Sequence, residues 1–358
     1  DDTRGNRYTQ SATFAYHRYH DIFTDPTSES YKLGAVVSNV GAFRYLTSLL
    51  PGSGATVTVF SGGGETLTDR WSGAYRGSLS QHGGALTFGY EFENQAGTIS
   101  KQDVDRQDNG FYAHEQYAVN RWMSLTAGLR VQHSSRFGTE TSPRGSVTFR
   151  LPTSTFFHVS VGRGVKEPAL IENYAREAFY VGNPALKPEV TNSFETGLYR
   201  EWLGSRIRTD VVYFRNQFDN LIQFDFSKSP ATWGNIDYSW ARGVEFSASA
   251  KVARLVTLRG NYTNLHTHSS KAIELLRRPR NSGSVSLDLT PKKFDFQIGA
   301  RFVGERQDND FVFGVNRNTS YATAYLSAAW RATPHVAPFL RIGNLNNERY
   351  QEALGYAS

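Results

Sequence analysis

The chain has 358 residues, a net charge of +6 and no cysteine, which excludes a disulfide framework and any thiolate metal site. Its 39 basic and 33 acidic residues are interleaved along the whole length, which argues against a nucleic-acid partner. Hydrophobic residues reach only 39% although aromatic residues reach 14%, and no apolar run attains the about 18 residues a membrane-spanning helix needs. A hydrophilic average rich in Tyr and Phe is what a membrane β-barrel produces, because lipid-facing apolar residues alternate with lumen-facing polar ones. The chain opens at Asp1 with no charged segment leading into an apolar one, so a removed signal peptide or a fragment is expected.

The alternation starts early: Tyr8, Gln10, Ala12, Phe14 and Tyr16 share one face. It is cleaner at Leu86, Phe88, Tyr90 and Phe92, which oppose Thr87, Gly89, Glu91 and Glu93. Leu125, Ala127, Leu129 and Val131 oppose Thr126, Gly128, Arg130 and Gln132, and Val244, Phe246, Ala248 and Ala250 oppose Glu245, Ser247 and Ser249. Phe296, Ile298, Ala300 and Phe302 oppose Asp295, Gln297, Gly299 and Arg301. A period of two marks half-buried strands, and a helix would scatter these sets over its surface.

The pattern predicts about 17 strands, each of a length suited to crossing a bilayer at a tilt. Short turns fall near Pro51 to Gly54, Gln81 to Gly84, Asn120 to Trp122, Leu151 to Thr155, Leu203 to Ser205, Lys251 to Leu255, Thr290 to Lys293 and Ala332 to His335. Between them come mostly longer connections, His20 to Tyr31, Thr98 to Asn109, Ser134 to Ser142, Arg163 to Pro188, Phe218 to Ala241, Leu265 to Arg280 and Gly304 to Ser320, with Gly62 to Glu65 as a short exception. Alternating short and long connections predict an all-β, antiparallel up-and-down transmembrane barrel with short periplasmic turns and long outer loops.

The segment Gly182 to Gly197, GNPALKPEVTNSFETG, resembles a signature of TonB-dependent outer-membrane receptors, with Asn183, Pro184, Leu186, Lys187, Pro188, Glu189, Glu195 and Gly197 filling the pattern. Asn120 to Ser146, Phe157 to Tyr174, Tyr213 to Ile222 and Ala241 to Phe246 resemble further motifs of that family, in family order. Phe339 to Ser358 resembles the family's penultimate strand and the loop after it. The resemblance implies an incomplete barrel over residues 1–358, holding about 17 of roughly 22 strands, with the plug, the first strands and the closing strand missing. It implies a multi-pass barrel in a Gram-negative-type outer membrane, in contact with lipid and lipopolysaccharide. Its job would be uptake of a scarce nutrient such as a ferric siderophore or cobalamin, energised by the inner-membrane TonB complex acting on the plug. A plugless adhesin or a barrel enzyme is the alternative.

No catalytic constellation is expected, nor any cofactor. His266 and His268 lack a third metal ligand at fixed spacing. Asp103, Asp105, Asp108 and Asn109 gather oxygen ligands in a long connection without completing a calcium loop, so a solvated acidic loop is the expectation. Gly62-Gly63-Gly64 reads as a hairpin turn, and Arg277-Arg278-Pro279-Arg280 as a loop junction facing lipopolysaccharide phosphate or the lumen. The inward charges Glu91, Glu93, Arg130, Glu195, Arg208, Asp210, Glu245, Arg259 and Arg301 are expected to line the barrel, most of them as ion pairs. The loop aromatics Tyr174, Phe179, Tyr180, Trp233, Tyr238, Trp240, Phe311 and Phe313 are the candidate ligand surface, since large ligands are held by apolar pockets with a few polar groups.

Overall fold

A computed structural model describes residues 7–25, 29–32, 56–59, 62–81, 83–177, 180–225, 228, 230–270, 275–310 and 314–355. The first strand, β1 (Arg7–Asp25), pairs with β4 (Gly62–Gln81), and among the described residues β2 (Glu29–Lys32) and β3 (Thr56–Val59) pair only with each other between them. An antiparallel meander then runs through β5 (Gly84–Ile99), β6 (Gln102–Asn120), β7 (Met123–Ser134), β8 (Gly138–Leu151) and β9 (Thr155–Lys166). A short helix, α1 (Leu170–Tyr174), and the two-residue β10 (Tyr180–Val181) precede β11 (Glu189–Trp202), β12 (Ile207–Asp225), β13 (Ala231–Ala253) and β14 (Val256–Ser269). The sheet finishes with β15 (Asn281–Leu289), β16 (Phe294–Val303), β19 (Tyr321–Trp330) and β20 (Phe339–Ile342), while β17 (Arg306–Asp310) and β18 (Gly314–Asn318) form a separate hairpin between β16 and β19.

Fifteen strands thus follow one another in chain order, and β10 adds a parallel partner to β13. Among the described residues β1 and β20 end the sheet and are not joined to each other, as an incomplete barrel requires. The expected count of about 17 included two crossings between residues 31 and 61; residues 33–55 and 60–61 lie outside the described ones, and of the rest β2 and β3 pair with each other. Gly62 to Glu65, expected as a turn, opens β4 with Glu65 opposite Ile22. The turn expected at Pro51 to Gly54 lies outside the described residues.

Several outer connections are shorter than expected because the strands run on past the membrane. A tilted strand crosses the hydrocarbon in about 9–11 residues, but β6 has 19, β12 has 19 and β13 has 23. Beyond the lipid the ladder still satisfies backbone N–H and C=O groups, and both faces can turn polar. The connection expected at Thr98 to Asn109 therefore contracts to Ser100 and Lys101, both at positive φ. The one expected at Phe218 to Ala241 contracts to residues 226–230, with Asp225 still paired to Thr232.

Outside, the barrel presents large exposed apolar side chains such as Val161, Val211, Val244, Phe246, Val285 and Ile298. At the short-turn rim Trp122, Trp202 and Trp330 are exposed, in the place of an interfacial aromatic girdle. The buried apolar cluster lies at the opposite rim, where Leu170 and Ala175 close over Ile99 and Val104.

Candidate functional site

The alternation that turns apolar side chains outward turns charge inward, and the charges meet in cross-strand pairs. Arg130 Nη1 donates to Glu91 Oε2 at 2.6 Å, and Arg70 pairs with Glu93. His158 lies 3.2 Å from Glu195, Arg208 lies 3.4 Å from Glu201, and Arg259 donates to Asp288 at 2.5 Å. Glu245 and Arg301 stand exposed on the same wall, and Asp210 holds a buried Oδ1 without a hydrogen-bond partner. Arg70, Glu91, Glu93, Arg106, Arg130 and Glu167 surround a cavity of about 450 Å³, and Arg208, Asp210 and Arg259 border a second of about 400 Å³.

Sequence reasoning missed the densest part of this wall. Arg106 and Asp108 lie on the inward face of β6, and Glu167 reaches them from the connection after β9. Arg106 Nε is 2.9 Å from Asp108 Oδ2 and 3.6 Å from Glu167 Oε2, and its Nη1 donates to the carbonyl of Pro168 at 2.9 Å. The Nε–H is not aimed along the shorter contact, so that pair is held by charge more than by a hydrogen bond. Glu167 accepts from Gln132 at 3.0 Å and from Ser134 at 3.1 Å. Burial, reinforced by the neighbouring Asp108 carboxylate, raises the Glu167 pKa against the opposing pull of Arg106.

The acidic loop expected at Asp103 to Asn109 is a strand, and its acids divide between two faces. Asp103 accepts from Thr98 and Asp105 from Arg136, on the face opposite Asp108. Among the described residues no three His, Asp or Glu side chains converge as metal ligands. Reading the period of two backwards from Phe111 would have placed Arg106 and Asp108 inward.

At the outer rim the aromatic candidates separate. Tyr174, Tyr180 and Trp233 pack against the Leu170 cluster, and Tyr180, Phe224 and Trp233 form an edge-to-face triad with centroids 4.8–5.9 Å apart. Gly182 makes this packing possible: a Cβ there would stand 2.5 Å from the Asn173 carbonyl carbon and from the Tyr174 nitrogen. Asn183 ties the same segment down, donating to the Trp233 carbonyl at 3.0 Å. Tyr238 and Trp240 sit in β13, where Trp240 stacks on His268 of β14. Phe179, Phe311 and Phe313 lie outside the described residues.

A second rim structure is built on Asp308, which is fully buried in the β17–β18 hairpin. Its carboxylate accepts from Arg277 Nε at 2.7 Å, from the Leu354 N–H at 2.9 Å, from the Asn309 N–H at 2.8 Å and from Asn318 Nδ2 at 3.3 Å. Arg306 donates to the carbonyls of Gln351 and Glu352, each at 2.8 Å, and Tyr321 stacks on Tyr350. Three connections are thereby fastened to one another. Burial would raise the Asp308 pKa, but the Arg277 guanidinium and the two backbone N–H groups outweigh it and hold the carboxyl below its ordinary range.

A charged lumen inside an apolar belt, with a packed aromatic rim above it, is the anatomy of an outer-membrane receptor barrel. Residues 1–347 match the family described as TonB dependent receptor-like, beta-barrel. The chain belongs to the TonB-dependent receptor β-barrel family. The vitamin B12 transporter BtuB of Vibrio cholerae is 25% identical over 268 residues, which are 74% of this chain and 42% of that protein. BtuB of Vibrio vulnificus is 24% identical over 271 residues. Among solved structures, the ferric enterobactin receptor PfeA of Pseudomonas aeruginosa has a TM-score of 0.71 at 16% identity, covering 98% of this chain and 57% of that one. The copper transporter OprC has a TM-score of 0.73 at 14% identity, covering 96% and 59%. This receptor barrel therefore spans less than half the length of the curated relatives it matches. Those relatives are transporters and receptors, not enzymes.

Proposed function

We propose that this receptor barrel belongs to an outer-membrane transporter that captures a scarce nutrient, a cobalamin or a ferric siderophore, at its outer rim and passes it through the lumen. Residues 1–358 act as the barrel portion of a longer receptor whose plug transmits energy from the inner-membrane TonB complex. The observation that carries this reading is the polar lumen wall: paired charges around cavities of about 450 and 400 Å³, beneath a rim braced by its own apolar core. Buried inward atoms with hydrogen-bonding capacity to spare, Asp108 Oδ1 and Asp210 Oδ1, support a polar partner within the lumen. The vitamin B12 transporters among the relatives favour a cobalamin-sized ligand.

Cells producing the intact protein are expected to accumulate labelled cobalamin or one ferric siderophore from dilute medium only while TonB is present. Accumulation of neither, or equal accumulation without TonB, would remove this reading.

A further inference from the structure

The lumen wall is not uniform. From β5 to β9 it is rich in ion pairs, whereas from β12 to β15 hydroxyls and amides come to the fore. One row of directly opposed residues runs Asp210, Ser247, Asn261, Ser284 across β12, β13, β14 and β15, with Tyr199 of β11 ahead of it. The next row towards the short turns brings Ser249 and Ser286 to the same cavity of about 400 Å³. On the other face of these strands Val211, Phe246 and Val285 are exposed in the apolar belt. Because β12 begins at Ile207, the cavity lies at the short-turn end of the lumen, the inner mouth, away from the aromatic rim.

Much of the hydrogen-bonding capacity of this patch is free. Asp210 Oδ1 is buried, and among the described residues the Asp210 side chain has no hydrogen-bond or ion-pair partner. The two arginines of the cavity are compensated elsewhere, since Arg208 lies 3.4 Å from Glu201 and Arg259 donates to Asp288 at 2.5 Å. Asn261 donates to Ser284 Oγ at 2.6 Å, which leaves that serine its own proton to donate. The hydroxyls of Ser247 and Ser249 have no partner among the described residues. Tyr199, whose hydroxyl donates to Glu201 at 2.7 Å, adds aromatic surface.

A buried polar atom without a partner calls for an occupant. The occupant must donate to a carboxylate and exchange donor and acceptor roles with serine and asparagine. Adjacent hydroxyls of a sugar ring do both: their O–H groups donate to one carboxylate while their oxygens accept from the neighbouring strands. An anionic chelate would be repelled by Asp210, and an ammonium ion would leave the serine donors unanswered.

We propose that Asp210, Ser247, Asn261 and Ser284 form a binding site for a polyhydroxylated ring, either a free neutral sugar or the sugar moiety of a larger cargo, at the inner mouth of the lumen. This deepens the transport reading above and rests on it. Neutral hydroxyl contacts are individually weak, which lets a ligand leave again.

The test uses the intact receptor in a detergent without a sugar headgroup, with maltose as the probe and saturation-transfer NMR as the readout. Saturation transfer to maltose is expected, with a Kd of about 1 mM. Asp210→Asn, which has one acceptor oxygen in place of two, is expected to weaken binding about tenfold. Heat-modifiable migration reports folding, and Ser247→Ala with Ser284→Ala takes the place of Asp210→Asn if that variant does not fold. No transfer to maltose, equal transfer in the folded variants, or transfer to methylammonium in place of maltose would overturn the proposal. Uptake of labelled cobalamin by cells assigns the source of the ring: slower uptake by Asp210→Asn at unchanged affinity marks the sugar of the cargo, and unchanged uptake marks a free saccharide. Chelate binding measured by calorimetry on the same samples is expected to be equal in wild type and variants. Loss of the maltose signal alone is therefore a failure of this site, and absence of chelate binding alone a failure of the transport reading.

Discussion

Asp308→Ala is expected to loosen the outer rim without unfolding the barrel. Its carboxylate is fully buried and accepts from two backbone N–H groups and from Asn318 and Arg277. Alanine leaves those donors without their acceptor, and a buried unsatisfied donor costs about 1–3 kcal/mol. Because Arg277 is half exposed and regains water, the expected local loss is near the upper end of one such cost, about 3 kcal/mol. Hydrogen exchange should show faster opening confined to residues 306–310, 314–318 and 351–355, with amides in β11 to β14 unchanged. Asp308→Asn, which keeps an acceptor oxygen but loses the charge, should fall between. The pH dependence has a definite sign. The folded pKa lies below the unfolded value of about 3.9, so the clamp is at full strength above that value and weakens as pH falls through the folded pKa. Rim exchange that does not change in Asp308→Ala would show that the three connections hold without it.

Arg106→Met is expected to destabilise the barrel itself. Arg106, Asp108 and Glu167 side chains are 11–12% exposed, and the arginine is the cation that both carboxylates face. Removing one partner of a buried ionic group typically costs about 3–5 kcal/mol because the remaining charge is left uncompensated. Part of that cost can be relieved by protonation of Glu167, whose pKa burial and Asp108 already raise. A glutamate with a folded pKa above its unfolded value of about 4.3 is bound to its proton more tightly in the native state. Stability therefore declines as pH rises from about 4.3 through the folded pKa. The variant should show its largest loss at neutral pH and a smaller one near pH 5, followed by thermal unfolding in detergent. Glu167→Gln in the same background should recover part of the neutral-pH loss. A uniform loss at both pH values would assign the effect to packing of the arginine stem instead.

The barrel was legible because lipid and lumen impose opposite chemistry on alternate residues. Leu86, Phe88, Tyr90 and Phe92 opposite Thr87, Gly89, Glu91 and Glu93 could hardly be anything but a wall strand, and they fall in β5 as read. That signal fails where strands leave the lipid. In Gln102 to Asn109 both faces are polar, so a continuing ladder looked like an acidic loop. The same overrun carried Tyr238 and Trp240 from an expected loop into β13. Lumen charges such as Glu91, Arg130 and Arg259 follow from alternation, but their partners depend on cross-strand register. The Arg106, Asp108 and Glu167 group needs β6 and the β9 connection to meet, which no local pattern reveals. Gly182 was visible in the signature, whereas its reason, α1 backbone atoms 2.5 Å from where a Cβ would stand, required the fold.

Ligand titration of the intact receptor tests the central claim most directly, with Trp233 of the rim triad as the fluorescent reporter. The transport reading predicts saturable quenching by cobalamin or by one ferric siderophore, with most of the signal lost in Trp233→Phe while binding persists by calorimetry. No calorimetric or fluorescence response to any of these chelates, from a receptor shown by circular dichroism to be folded, would contradict it.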